Sequence, residues 1–222
     1  MVNTLVRSII IVLLTLTCST VFAQSTQPER DTQEWNDVQF AVPVTKDIDF
    51  NLLGTIRIGR DISRPVDERI AVGFTFRAGK HLTFTPSYFH IGMQPFEGRK
   101  VWENRLVFAT NLRFEAGKFR FSDRNVFERR YRHPGTPSTR YRNRFQVEYP
   151  VGNDKMKLSL FASDEIFYDW SVDRWGRNRL AAGITKVLNS SVTLEMYYLR
   201  QNDGVSRPGD LHVIATTWRI KL

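Results

Sequence analysis

A two-residue alternation of apolar and charged side chains, sustained over run after run, constrains this chain more than any other feature. It is clearest between Val101 and Tyr149. Taken as extended backbone, Trp102, Leu106, Phe108, Leu112 and Phe114 fall on one face, and Glu103, Arg105, Asn111, Arg113 and Glu115 fall on the other. The last run repeats the pattern, with Tyr141, Phe145, Val147 and Tyr149 opposed to Arg140, Arg142, Arg144, Gln146 and Glu148. Soluble strands average roughly five or six residues; these runs are about twice as long. A soluble sheet turns its apolar face inward and wets its charges. Long strands with aromatics on one side and dense charge of both signs on the other suit the reverse, a barrel with lipid outside and a polar lumen within.

The same rhythm fills the chain from Trp35 onward. The predicted strands are Trp35–Pro43, Asp47–Arg57, Arg69–Arg77, Leu82–Ile91, Val101–Phe114, Lys118–Tyr131, Arg140–Tyr149, Met156–Tyr168, Trp175–Val187, Val192–Gln201 and Leu211–Leu222. The connections alternate between short turns and longer segments rich in Pro, Gly, Asp and Arg, as the two rims of an outer-membrane barrel do. The predicted fold is therefore all-β: a closed antiparallel transmembrane β-barrel of about 10–12 strands with a polar Arg/Glu-rich lumen. Eleven runs can be counted, but bacterial single-chain barrels normally hold an even number, so ten or twelve is the expectation.

The chain opens with a targeting pattern. Arg7 supplies positive charge, Ser8 to Leu16 is nearly all apolar but too short to span a bilayer as a helix, and Val21-Phe22-Ala23 offers small residues for cleavage. The predicted organisation is a signal peptide over 1–23, a polar flexible leader over 24–34 and the barrel over 35–222. Cys18 lies inside the signal and follows Thr17, not a small residue, so lipidation is not expected; the mature chain then has no cysteine and no disulfide. The formal charge is +9. An exported chain meets little nucleic acid, so anionic lipid headgroups, acidic polysaccharide or small anions are the expected partners of this surplus.

The predicted lipid face includes Phe50, Phe74, Phe76, Leu160, Leu180, Ile184 and Ile214, with Trp35, Trp102, Tyr131, Tyr149, Trp170, Trp175 and Trp218 near strand ends as candidate girdle residues. The opposite face holds the candidate site, a lumen charge cluster of Arg105, Arg113, Arg124, Glu128, Arg130, Arg140, Arg142, Arg144, Glu148, Glu165, Arg177, Arg179 and Glu195. Packed in a narrow lumen, these groups either interlock as a structural lining or leave a surplus of Arg that draws anions to a constriction.

Several of these residues carry a resemblance. Trp35 with its hairpin, Arg124 followed by Glu128 and Arg130, the strand Arg140-Tyr-Arg-Asn-Arg144, Glu165-Ile-Phe167, and Arg177-Asn-Arg179 followed by Gly183 resemble the DUF2490 group. The resemblance implies an outer-membrane barrel without an established activity, and no catalytic residues. The chain departs from the usual aromatic end of such barrels by closing on Leu222.

A catalytic signature is hard to find. Of the four histidines, only His90 has neighbours of interest, namely Ser87, Tyr88 and, across a hairpin, Glu97. Ser87 with His90 is the one candidate pair for a lipid hydrolase, which needs a base within hydrogen-bond reach of the nucleophile. No metal site is expected, since the mature chain lacks Cys and any close His pair, and no cofactor is expected either. The expected role is an outer-membrane envelope component or narrow pore in a Gram-negative cell, meeting outer-membrane lipid, the barrel-insertion machinery and small anionic solutes. A lipid-modifying hydrolase and a soluble periplasmic β-barrel binding protein are the alternatives.

Overall fold

A strand with one apolar and one charged face is stable only if each face meets its own kind of solvent, and closing the sheet on itself separates the two. A computed structural model, which describes residues 28–152 and 156–222, shows this closure. The signal peptide and the first four residues of the polar leader lie outside the described residues. Eleven strands form one closed barrel: β1 (Arg30–Thr45), β2 (Ile48–Gly59), β3 (Arg64–Ala78), β4 (Leu82–Met93), β5 (Val101–Ala116), β6 (Phe119–His133), β7 (Ser138–Val151), β8 (Leu158–Asp169), β9 (Arg174–Val187), β10 (Val192–Asp203) and β11 (Asp210–Lys221).

Each strand pairs antiparallel with its sequence neighbour, and β1 closes the ring against β11 in parallel, from Arg30↔Asp210 to Ala41↔Lys221. The expected parity of ten or twelve is therefore corrected to eleven, and the expected all-antiparallel closure to one parallel seam. The reason is geometric: in an odd ring of alternating strands the first and last must run the same way. β1 also begins at Arg30, so the strand takes in residues 30–34, which the sequence reading assigned to the leader. β3 and β7 likewise start earlier than expected, at Arg64 and Ser138, which shortens the loops 60–63 and 134–137. The longest connections on that rim are 94–100 and 204–209.

Side-chain direction follows the alternation. Phe74, Phe108 and Leu160 point outward and are exposed, whereas Arg105 is buried inside and the Arg142 side chain is nearly so. This is the orientation of a transmembrane barrel and the opposite of a water-soluble one. Trp102, Tyr131, Trp170, Trp175 and Trp218 are also exposed on the outside. Trp35 is not: it is 5 % exposed and lies in the lumen, a correction to its assignment as a girdle residue. Its phase in β1, shared with Asp31 and Gln33, already places it inward, and its position near the strand end does not override that phase.

Two local features shape the wall. Arg60, Asp61 and Ile62 all have positive φ, at 54, 55 and 59°, and the turn is held by Asp31, whose carboxylate accepts the backbone N–H groups of Arg60 (3.0 Å) and Asp61 (2.9 Å). Consecutive N–H groups turned toward one point form a pocket for negative charge. In β4, Pro86 has no N–H to give to β3, and the β3–β4 register is interrupted between Gly73↔Ser87 and Phe76↔Phe84. Here the strands approach so closely that a Cβ on Gly73 would overlap Ser87 Oγ and the Pro86 carbonyl oxygen.

Candidate functional site

The lumen is built by alternate residues of all eleven strands, and the pairing registers bring the predicted cluster together. Arg105 of β5 faces Arg130 of β6, Glu128 of β6 faces Arg140 of β7, and Arg144 of β7 faces Glu165 of β8, which in turn faces Arg179 of β9. Cross-strand neighbours on one face lie within side-chain reach, so these pairs make a belt of charge along the inner wall from β5 to β9.

Two carboxylates anchor the belt. Glu103, fully buried, accepts Arg105 Nε at 2.6 Å through Oε1 and Arg130 Nη2 at 2.9 Å through Oε2. Glu128, 1 % exposed, takes Arg140 Nη2 at 2.6 Å, Arg105 Nη1 at 3.2 Å and Arg142 Nε at 3.3 Å. Glu165 makes longer pairs, 3.7 Å to Arg142 and 3.6 Å to Arg179. Planar guanidinium forks suit this sharing, because one group can donate to two carboxylates at once.

Aromatic rings complete the layer. Arg140, Arg142, Arg177 and Arg179 surround the buried Phe167 ring with guanidinium carbons 4.8–5.7 Å from its centre. Trp35 lies between Arg57 (3.6 Å) and Arg179 (4.9 Å), and its indole N–H donates to Gln33 Oε1 at 2.7 Å. Rings that accept cations on their faces spread the positive charge without further carboxylates. Apolar side chains flank the belt: Val107, Ala109 and Val126 on one side, and Leu199, Leu211, Val213 and Ala215 beside Trp35 on the other. These inward apolar residues were not singled out from the sequence, although their phase along each strand marks them as inward. Together the belt and its flanks fill the half of the lumen nearer the long-loop rim.

The other half differs. Along β5 the inward residues go from buried Glu103, Arg105, Val107 and Ala109 to half-buried Asn111 and exposed Arg113 and Glu115. Glu148 pairs with Arg120 at 2.5 Å, and Glu195 pairs with Arg219. Arg113, Arg124 and Arg144 have no ion pair or side-chain hydrogen bond among the described residues. Arg124 stands directly opposite Arg144 across the β6–β7 ladder, and Arg144 Nε is buried without a partner. Like charges facing one another across strands are destabilising. The candidate cluster therefore divides into an ion-paired plug that contains Glu128, Arg105, Arg130, Arg140, Arg142, Glu165 and Arg179, and a patch of Arg113, Arg124 and Arg144 beneath it that makes no ion pair among the described residues. Arg177 sits above the plug on Asp203, with its Nε 2.6 Å from Oδ2.

The hydrolase candidates are separated. Ser87 and His90 stand three residues apart on one strand, so they project from opposite faces. His90 is exposed on the outside, where its Nδ1 lies 2.8 Å from Asn104 Oδ1 and its ring stacks on Trp102, while Ser87 faces inward at the close approach to Gly73. They do not form a nucleophile and base.

Three solved structures align with part of this chain. An anion-selective porin from Comamonas acidovorans aligns with TM-score 0.41 and 10% identity over 80% of this chain and 55% of that one, so this chain spans about half its length. A NanC porin aligns at TM-score 0.49 and 12% identity over 86% of this chain and 96% of that one. LpxR from Salmonella typhimurium aligns at TM-score 0.45 and 8% identity over 80% and 83% of the two chains. No curated protein matches the sequence. A family model described as "Protein of unknown function (DUF2490)" matches residues 32–211, most of the barrel from β1 into β11, and the chain belongs to that family.

Proposed function

We propose that this protein is an outer-membrane barrel of a Gram-negative cell that holds a small anion in a basic vestibule, open toward the short-turn rim and closed above by the plug. The observation that carries the reading is the contrast inside one lumen. Every plug carboxylate is claimed by at least two arginines, while Arg113, Arg124 and Arg144 make no ion pair among the described residues. An anion bound among the three would relieve their mutual repulsion and take up their unused N–H donors. The targeting pattern at the start of the chain and the outward apolar face support the location. Lipid around the wall, the barrel-insertion machinery and small anionic solutes are the partners this role requires.

The test is conductance in planar bilayers under a salt gradient. Wild-type barrel is expected to pass little current, because the plug fills its level of the lumen. Glu128→Gln should loosen the plug and give a current whose reversal potential favours anions, and adding Arg124→Gln should shift that potential toward zero. A cation-selective current from the Glu128→Gln barrel would overturn the proposal.

A further inference from the structure

The outward face carries one feature that neither the lumen nor a purely apolar belt explains. A groove of about 570 Å³ crosses the outside wall from β2 to β7. Its floor is Pro86, with the backbone of Gly73 and Ser87 beside the break in the β3–β4 ladder. Its sides are Phe74, Tyr88, Leu106, Phe108 and Phe127, all exposed. At its upper end stand Arg129 and Thr139.

Arg129 faces outward and is exposed. No carboxylate pairs with it among the described residues. It donates to Thr139 Oγ1 at 3.0 Å and lies 5.6 Å from the Tyr131 ring centre. Lys or Arg on the lipid side of a barrel is costly in a depth-dependent way, and an anionic group beside it removes that cost. Just above, on the same outward face, Asn104 Oδ1 accepts the Tyr88 hydroxyl at 2.9 Å. Asn104 lies opposite Tyr131, and Leu106 lies opposite Arg129, so the amide of Asn104 sits one pleat from the guanidinium.

Resting on the membrane location proposed above, we infer that this groove is a lipid site. One acyl chain lies along Phe74, Phe108 and Phe127, and the phosphate of the same anionic lipid pairs with Arg129 below the Tyr88–Asn104 cluster. Apolar walls alone would suit any lipid; the unpaired cation at the head of the groove selects a negatively charged one.

The experiment is native mass spectrometry of the full-length mature barrel taken from phosphatidylcholine nanodiscs doped with phosphatidylglycerol or with bisphosphorylated lipid A. Wild type should retain one of these anionic lipids per barrel. Arg129→Gln should lose it at least tenfold, Arg129→Lys should largely restore it, and Arg200→Gln, an outward arginine already paired with Asp210, should leave it unchanged. Equal retention in wild type and Arg129→Gln overturns the site. So does a wild-type dimer that dissociates on Arg129→Gln, because a second copy would then be what covers the groove. A barrel that fails to enter nanodiscs at all refutes the membrane location instead, and heat-modifiability of each variant on gels separates that from simple misfolding.

Discussion

Glu128→Gln tests the plug most directly. Glu128 is buried and faces three guanidinium groups, with ion-pair distances of 2.6, 3.2 and 3.3 Å. The substitution keeps shape and removes charge. Arg105 retains Glu103, and Arg142 retains only the longer contact to Glu165. Arg140 has no other ion pair among the described residues, so its charge is left buried and unbalanced. Removing one partner from a buried ion pair costs about 3–5 kcal/mol. With a urea slope of about 1–3 kcal/mol/M, the unfolding midpoint of the barrel in detergent should fall by at least about 1 M, read by tryptophan fluorescence and by the gel shift on boiling. Glu165→Gln is the internal comparison: its pairs are longer, at 3.6 and 3.7 Å, and it should cost less than half as much. Glu128→Gln combined with Arg140→Met should recover part of the loss, because the stranded cation goes with its partner. If Glu128→Gln shifts the midpoint no more than Glu165→Gln does, or if the double variant is less stable than the single one, the plug is not held by charge neutralisation around Glu128.

Two further substitutions probe packing. Trp35→Leu removes a ring sandwiched between Arg57 and Arg179 together with its hydrogen bond to Gln33; the expected loss is about 2–4 kcal/mol in the same urea titration, and a loss below 0.5 kcal/mol would remove the ring from the plug. At Gly183 a Cβ would overlap the Met196 carbonyl oxygen and the Tyr197 side chain, whereas at Gly54 nothing lies within 4 Å. Gly183→Ala should therefore destabilise by about 1–3 kcal/mol and Gly54→Ala by less than about 0.5 kcal/mol, and equal effects would refute the close approach of β9 and β10.

The alternation made the inside and the outside legible before any coordinates, because a period of two is a property of the backbone and does not depend on the fold. It assigned Glu103, Arg105, Arg140 and Arg142 inward and Phe74, Phe108 and Leu160 outward. Trp35 was misplaced by a rule about composition at strand ends, when its own phase said otherwise. Strand parity is similar: eleven runs can be counted in the sequence, and the even number usual for bacterial barrels does not hold in this ring. What periodicity could not show is which charges would pair. Arg124 and Arg140 read alike in the sequence, yet one faces Arg144 and the other faces Glu128, and only the register decides this. Arg129 is hard to read from the sequence because, between the inward Glu128 and Arg130, it passes for part of one charged run. Its outward phase becomes meaningful only beside the groove floored by Pro86 two strands away.

The parallel seam has a consequence for how this chain could be rearranged. Barrels with an even number of strands bring their first and last residues to one rim, and a short linker can join them to give a circular permutant. Here β1 enters at the rim of the long loops, level with Asp210, and β11 leaves at the opposite rim, where Leu222 donates its N–H to the Ala41 carbonyl oxygen. A linker would have to travel the height of the wall, on the order of 25 Å for the apolar band alone. It could do so only through hydrocarbon, where its bare peptide groups find no partners, or through a lumen already occupied by Glu103, Glu128 and their arginines. New ends cut into any hairpin turn should therefore yield no folded permutant, unlike the outcome for an even-stranded relative of the same size.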